Sequence, residues 1–582
     1  MIKKIFLLTL FIASNCFAKP NRDLQYFYWN PLGSLLFSES MVKSPINYVQ
    51  PSFSLLLGQN EPLSFILRNN NDSDIKIKSI SIVNLVQSDN LVYDIRVVKN
   101  WYMGSQTGIS VTKQGLANPK LTPELLLKND SLIMIDNKTQ KNYLNNLQDG
   151  LESYLDISSP TELMSNNAIV NDTKDLKPFI IKSNQGKQIW LNLTTNQLTK
   201  IKSYNIKLKI EYFIGSQKRY LFVPFNFEVL PLQLSNDKLN HSVYYSGQLR
   251  GINRLLSTPK TESQYIAELK NLKSHGVLYP TQYLFGDNES VIAQYVRIRN
   301  KLGFPCDKMY FIGGIGDTHV HVLSILESNI RLLKNIVSTN SDCKNAQIYL
   351  YGIDEASGST LLSESKEWKA VTDNGAFVFA ASFKGDLYEN NMLTNLQTLV
   401  SLPLYNQTKQ DKLQMRTLGK DVYLYGEPQS GIANPFLYRK NYGYYLIKND
   451  YTGAMPFAYQ FGFPEHQHSS ELSGGLCFTS QTAYCSVWNN FDDRVYYDHM
   501  FTYPTSNGVI DTIQWEGYAS AITDVRYYYT LLDLMSRKCT QDNIICNFDP
   551  KLLIDVGDPV GTRQRIIDKI KLILTLNNQI MK

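Results

Sequence analysis

"QIYLYGIDEASGS", Gln347 to Ser359, is an apolar run that ends, with no polar approach, in two adjacent carboxylates, Asp354 and Glu355. A strand covered on both faces has no room for charge along its length and tolerates it only where the chain leaves the sheet. In a parallel α/β barrel that place is the mouth, at the carboxyl ends of the strands, where Asp354 and Glu355 emerge while Ile348, Leu350 and Ile353 stay in the core. A helix N-cap with an acidic neighbour, followed by Ser357 and Ser359, is the bland alternative.

The flanking sequence repeats the strand-helix alternation that a barrel requires. "SVYYSGQL" (242–249), "VLYPTQYLF" (277–285), "KMYFIGGIG" (308–316), "QIYLYGIDE" (347–355), "AFVFAAS" (376–382), "LQTLVSLPLY" (396–405), "KDVYLYGEPQSG" (420–431) and "GAMPFAYQFG" (453–462) are strand candidates, mostly separated by helical patterns. Eight such units predict a (β/α)8 TIM barrel over 241–537, with 538–582 as a helical extension. An open doubly wound sheet is the alternative, disfavoured by eight units with no dinucleotide-binding glycine fingerprint. "FIGGIG" (311–316) lacks the Lys-Ser/Thr of a phosphate loop and reads as a glycine-rich turn at the mouth.

Upstream, 21–235 reads as an all-β domain closing as a β-sandwich. "SLLLGQNEPLSFILRNNNDSDIKIKSISIVNL" (54–85) contains strands broken by Asn/Asp turns, and "YNIKLKIEYFIGSQKRYLFVPFNFEVL" (204–230) alternates on both sides of Gly215-Ser216, a hairpin signal. About 115–175 is polar and Asn-rich, with helical character in "LTPELLLKND" and "NYLNNLQDGLESYL", and is expected to be an insertion. Residues 1–18 read as a cleaved signal peptide, in which Lys3 and Lys4 precede an apolar run too short to span a bilayer. The mature protein is thus expected to be secreted or periplasmic, with a lipoprotein reading through Cys16 disfavoured by Asn15. Six cysteines then remain. Sequence neighbours suggest Cys306 with Cys343, Cys477 with Cys485 and Cys539 with Cys546 as disulfides.

The charge of +6 is dispersed over many Lys with no basic block, so no nucleic-acid partner is expected. The 37 Tyr and 26 Phe supply amphipathic faces suited to a glycan, though core and sheet positions account for most of them. Two mouth carboxylates are apparatus for glycoside hydrolysis, but adjacency is restrictive, because a retaining pair must flank the scissile bond about 5 Å apart. Either a carboxylate from another strand completes the pair, for which Glu427 after the seventh strand is the candidate, or the substrate supplies its own nucleophile. In the second case a 2-acetamido oxygen attacks the anomeric carbon, Asp354 orients that amide, and Glu355 protonates the leaving oxygen. Neither route needs a cofactor or metal. A non-catalytic carbohydrate-binding envelope protein is the reading that dispenses with Glu355.

With the Asp354-Glu355 pair, "NPFLYRKNYGYYLIKNDYTGAMPFAYQ" (434–460) and the region 487–532, in which Tyr503-Pro504, Glu516 and Asp524 before Tyr527 stand out, the chain resembles the catalytic domain of glycoside hydrolase family 123, the β-N-acetylgalactosaminidases, and more closely that family's uncharacterised relatives. The resemblance implies a sandwich followed by a barrel, Asp354 and Glu355 as the catalytic pair, and the substrate-assisted route. Ala519, Ser520 and Thr523 stand where that family tends to carry charge, and Phe457 stands where Trp is common. Tyr425, Tyr459, Gln460 and Trp488 are candidate substrate contacts near strand ends, each with a core role as the alternative. "PEHQHSSE" (464–471) is expected to be a polar loop rather than a metal site, Asp492 and Asp493 a helix cap, and Arg439 a structural ion pair.

Overall fold

The computed structural model describes residues 23–39, 52–103, 119–148, 151–158, 164–165, 169–249, 258–320, 322–382, 384–402, 406–462, 483–484, 486–491, 498–539 and 547–580. The N-terminal part is two five-stranded sheets. One orders Leu24–Trp29, Asn60–Asn69, Gly186–Thr194, Val92–Met103 and Lys120–Leu127, all antiparallel. The other orders Phe179–Ile181, Ile75–Val83, Ser203–Ile214, Gln217–Gln233 and Ser52–Leu57, the last pair parallel. Alternation explains the closure: Tyr204, Ile206, Leu208, Ile210 and Tyr212 point into one buried core with Phe65, Val97 and Ile189 of the facing sheet. The predicted hairpin is present, with Ile214 opposite Gln217 and Gly215 at φ +57°. Glycine takes that left-handed turn at no steric cost.

The helical character expected within 115–175 is corrected. "LTPELLLKND" is the edge strand Lys120–Leu127, which accommodates Pro123 because an edge position leaves no ladder hydrogen bond for the missing N–H. "NYLNNLQDGLESYL" is a hairpin, Lys141–Gln148 against Leu151–Asp156, extended by Ile133–Asp136. Its Leu spacing imitates a helix, while Asp149-Gly150 is a strong sequence signal for a tight hairpin turn.

The second part is built on one eight-stranded sheet, all parallel. Its strands are β1 (Asn240–His241), β2 (Gln282–Tyr283), β3 (Lys308–Ile312), β4 (Gln347–Tyr351), β5 (Phe377–Ser382), β6 (Thr398–Ser401), β7 (Asp421–Leu424) and β8 (Gly453–Ala454). Their order is β1-β8-β7-β6-β5-β4-β3-β2, so seven of the eight predicted segments contribute one strand each, while β1 falls just before the first of them, 242–249, and from β2 to β8 neighbours in sequence are neighbours in space. Beyond the two edge strands, Thr281 N–H donates to the Val243 carbonyl at 3.2 Å and Tyr245 N–H to Thr281 Oγ1 at 2.9 Å. Helices Glu262–Ser274, Glu289–Lys301, Leu323–Ser338, Ser365–Asp373 and Asn406–Thr417 fall between the strands. Ile348 and Leu350 of β4 pack with Ile330, Leu333 and Trp368 of those helices, whereas Tyr349 and Tyr351 turn to the other face, onto Tyr310, Phe379 and Tyr423. Cys306 and Cys343 form the expected disulfide, and Cys539 is disulfide-bonded. Cys477, Cys485 and Cys546 lie outside the described residues, as do the signal peptide, "PEHQHSSE", Asp492 and Asp493.

Two buried polar networks tie the parts together. Asp524 on helix Ile513–Lys538 accepts from Arg439 Nε at 2.7 Å and Arg563 Nε at 2.5 Å, and Arg563 also reaches Glu61 of the sandwich at 2.7 Å. Arg439 therefore has the structural pairing expected of it. Glu124 on the sandwich edge accepts from Trp101 Nε1 at 2.7 Å and Gln514 Nε2 at 2.5 Å. Burial pushes the Glu124 carboxyl from 4.5 up to about 7, against the opposing pull of those donors. The folded state then holds a proton that the unfolded state releases, so stability falls as pH rises from about 4.5 to about 7. Urea unfolding across that window is expected to show a drop for the wild type that exceeds that of Glu124→Gln by roughly 3 kcal/mol, at about 1.4 kcal/mol per pH unit. Identical slopes would exclude a proton held at Glu124.

Candidate active site

The last residue of β4, Tyr351, is followed by Gly352, where an added Cβ would lie 2.7 Å from Trp368 and 3.0 Å from Ala380. Only glycine lets the chain pass so close. The backbone then turns, Glu355 adopts φ +49°, and its N–H donates to the carbonyl of Ala381, near the end of β5, at 3.2 Å. A non-glycine residue in that left-handed region costs on the order of 1 kcal/mol and marks a position fixed by its surroundings. The result is that Asp354 and Glu355 stand side by side at the carboxyl end of the sheet, Asp354 exposed at the rim and Glu355 half-buried.

Each carboxylate receives one tyrosine hydroxyl. Tyr351 donates to Asp354 Oδ1 at 2.5 Å and Tyr425, just past β7, donates to Glu355 Oε1 at 3.1 Å. The Tyr244 ring meets Tyr351, Tyr425 and Phe457 edge-on with centroids 6.1, 6.0 and 5.5 Å away, forming an aromatic floor below the pair. Although Asp354 keeps part of its surface in solvent at the rim, desolvation of its inner side by this floor raises its pKa, opposed by the Tyr351 hydrogen bond. Burial also raises Glu355, the adjacent Asp354 charge raises it further, and the Tyr425 hydroxyl pulls it back. The charge on Asp354 therefore bears on the ionisation of Glu355.

Sequence reading missed several members of this site. Asp317, beyond β3, pairs with Tyr351 in an isolated bridge and accepts the Gly313 N–H at 2.5 Å. Burial lifts it to about 6, with Asp354 among the charges that raise it. The turn that delivers Asp317 is "FIGGIG", where Gly313 and Gly314 have φ +81° and +55°. Tyr283, at the end of β2, feels both Asp354 and Asp317. Tyr425 is a candidate from the sequence, but as a substrate contact; one signal could have revealed Tyr351 and the donor role of both, since "YLYG" occurs twice, at 349–352 and 423–426, and the second Tyr of each copy is the carboxylate donor.

Other candidates take structural partners. Tyr459 is buried, donates to Asn271 Oδ1 at 3.0 Å and packs against Tyr245 and Trp515. Gln460 accepts from Lys260 Nζ at 2.7 Å and donates to Thr502 at 2.9 Å. Trp488 donates to the Pro504 carbonyl at 2.9 Å and packs with Trp101 and Tyr503 in the sandwich core. All three are fully enclosed by these partners, which gives each the core role that stood as its alternative. Glu427 is half-buried beyond β7, but its charge bears on Tyr442, Tyr445 and Tyr451. Glu355 is raised by Asp354 and held by Tyr425.

These features define a class of fold, a sandwich joined to an eight-stranded parallel α/β sheet with acidic groups at the strand ends. A solved structure shares it. A family 123 glycoside hydrolase from Clostridium perfringens, studied for the details of glycolipid glycan hydrolysis, aligns with a TM-score of 0.60 at 12% identity, over 96% of this chain and 99% of its own. The likeness expected from the sequence thus holds for the fold along nearly the whole chain. Bacteroides uniformis β-glucuronidase (TM-score 0.28, 8% identity, 82% of this chain and 49% of its own) and a β-mannanase from Alicyclobacillus acidocaldarius (0.24, 10%, 38% and 87%) are loose matches that carry no weight. No family profile matches the chain, and no curated protein does. Among the described residues no helix is long and apolar enough to cross a membrane.

The tyrosine donors make the titration testable. Removing a hydroxyl that favours the ionised carboxylate raises that carboxyl's pKa, so Tyr425→Phe is expected to move the Glu355 titration to higher pH, followed by the side-chain carboxyl resonances in carbon NMR. An unchanged or lowered value would show that Tyr425 does not hold the ionised form.

Proposed function

We propose that this chain is an exported glycoside hydrolase that removes terminal 2-acetamido sugars, N-acetylgalactosaminide-like, with retention and with the substrate's own amide as nucleophile. We propose also that the parallel sheet closes as a (β/α)8 barrel, as the hydrogen bonds linking the segments after β1 and before β2 suggest. The observation that carries the function is the adjacency of Asp354 and Glu355 on one side of the mouth, each held by its own tyrosine. Carboxylates one residue apart cannot attack from one face and protonate from the other. With an acetamido group supplying the attacking oxygen, Asp354 accepts the amide N–H and stabilises the positive charge that grows on the cyclising amide. Glu355 gives its proton to the departing oxygen, then takes one from the water that opens the cyclic intermediate. The raised pKa of Glu355 suits that donation. The fold shared with the glycolipid-glycan-hydrolysing enzyme supports a glycan substrate, and the N-terminal sequence supports export.

The alternative nucleophile, Glu427, has less support, because its charge bears on tyrosines of the segment 442–451 rather than on the pair. Activity should be bell-shaped in pH, falling on the acid side as Asp354 is protonated and on the basic side as Glu355 ionises. Aryl glycosides with and without the 2-acetamido group separate the readings. Acetamido substrates are expected to turn over, with Glu355→Gln and Asp354→Asn each lowering kcat by about 10²–10⁴ and Glu427→Gln leaving it largely intact. Turnover of plain hexosides that survives Asp354→Asn would refute the mechanism.

A further inference from the structure

Away from the Asp354-Glu355 pair, a second cluster of chemistry-bearing groups lies buried on the seam between the sandwich and the parallel-sheet part. His275 follows helix Glu262–Ser274, Asp511 ends the strand Val509–Asp511, and Glu516 lies in the first turn of helix Ile513–Lys538. One ligand atom from each lies within 4.8 Å of the other two. His275 is fixed by its far nitrogen: Nδ1–H donates to the Asn271 carbonyl at 2.9 Å, and the ring stacks on Trp515 with centroids 4.9 Å apart. That hydrogen bond selects the tautomer whose Nε2 lone pair faces the carboxylates.

Nε2 lies 4.0 Å from Asp511 Oδ1 and 3.8 Å from Glu516 Oε1, too far for hydrogen bonds. Both Nε2 and Glu516 Oε2 are buried without a hydrogen-bond partner, on side chains only 7% and 1% exposed. An unpaired buried imidazole nitrogen and carboxylate oxygen are costly to leave, and here both sit at one cluster. With edges of 4.0, 3.8 and at most 4.8 Å, the triangle holds a central ion no more than about 2.5 Å from each corner, so the ligands need to close in by a few tenths of an ångström to reach Zn–N and Zn–O bond lengths.

The surroundings match a ligand set. Asn271 Nδ2 donates to Asp511 Oδ1 at 2.6 Å and Asn192 Nδ2 to Glu516 Oε1 at 2.8 Å, orienting both carboxylates as outer groups around a metal do. Arg96 binds the other Asp511 oxygen at 2.6 Å and lies 3.8 Å from Glu516 Oε1, offsetting one of the two negative charges and leaving the other for a cation. A cleft of about 330 Å³, lined by Gln59, Thr195, Ser274 and Thr523, is also walled by His275 and Glu516 and so lies beside the cluster.

We propose that His275, Asp511 and Glu516 bind one divalent transition-metal ion of the zinc type, which fastens helix Glu262–Ser274 to the start of helix Ile513–Lys538 at the sandwich seam. The competing occupant of the Nε2 lone pair is a proton, which would make the cluster a balanced ion-pair network instead. No spacing motif announces the site, since its ligands come from separate segments.

The full-length protein, freed of metal with a chelator, would be titrated with Co2+ and then Zn2+, following visible absorption and thermal unfolding. One equivalent of Co2+ with d–d bands of mixed nitrogen and oxygen ligation, displaced by Zn2+, and a higher Tm are expected. His275→Gln should abolish the bands while far-UV circular dichroism stays unchanged, and Asn192→Ala should weaken affinity by about 10–100-fold. Absence of stoichiometric binding, bands that survive His275→Gln, or a His275 ring that NMR finds doubly protonated at neutral pH with Zn2+ present would each overturn the proposal. Glu516→Gln gives a second test by loss of the bands, and if it fails to fold the histidine variant still decides.

Discussion

The structure depends on where charge can leave a buried parallel strand. β4 is covered on one face by helices and on the other by tyrosine and phenylalanine rings, so its negative groups appear only after Tyr351, at the end of the sheet. Glycine at 352 and the left-handed backbone at Glu355 fit the turn into the space beside Trp368. Both carboxylates are thereby held on one side of the mouth, above an aromatic floor that raises their pKa values. From this single constraint follow the proximity of the pair and the tyrosine hydroxyls that meet it.

The tyrosines that fill the interior of the parallel sheet serve two purposes. Tyr310 and Tyr423 hydrogen-bond each other at 2.8 Å and satisfy their hydroxyls inside the core. One strand pleat further on, Tyr351 and Tyr425 present theirs to the carboxylates. Because side chains two apart on a strand share a face, the same "YLYG" sequence places one ring in the core and the next at the mouth. The seam with the sandwich is organised differently, through buried ionic and amide contacts at Asp524, Glu124 and the His275 cluster.

Much of the parallel sheet was legible because each strand is a short apolar run and sequential units pair with their neighbours. The position of Asp354 and Glu355 was legible for the same reason. The strands of 120–156 were not, since Leu144, Leu147, Leu151 and Leu155 fall at helical spacing and cross-strand pairing decides against it. The enclosure of Trp488, Tyr459 and Gln460 was not legible, because their partners Asn271, Lys260 and Pro504 come from distant segments, which periodicity cannot disclose. Asp317 escaped notice because it sits on a glycine turn whose course depends on close contacts with Leu284 and Phe285.

The central claim is that Asp354 serves the substrate's amide and that no protein carboxylate attacks the sugar. It is tested most directly by the binding of a thiazoline fused across C1 and C2 of a 2-acetamido sugar, which mimics the cyclic intermediate, measured calorimetrically on wild type and on Asp354→Asn. Tight binding to the wild type, weakened at least about tenfold in Asp354→Asn, corresponding to about 1.4 kcal/mol or more, is the predicted result. Absence of binding to the wild type, or equal binding to both proteins, would contradict it.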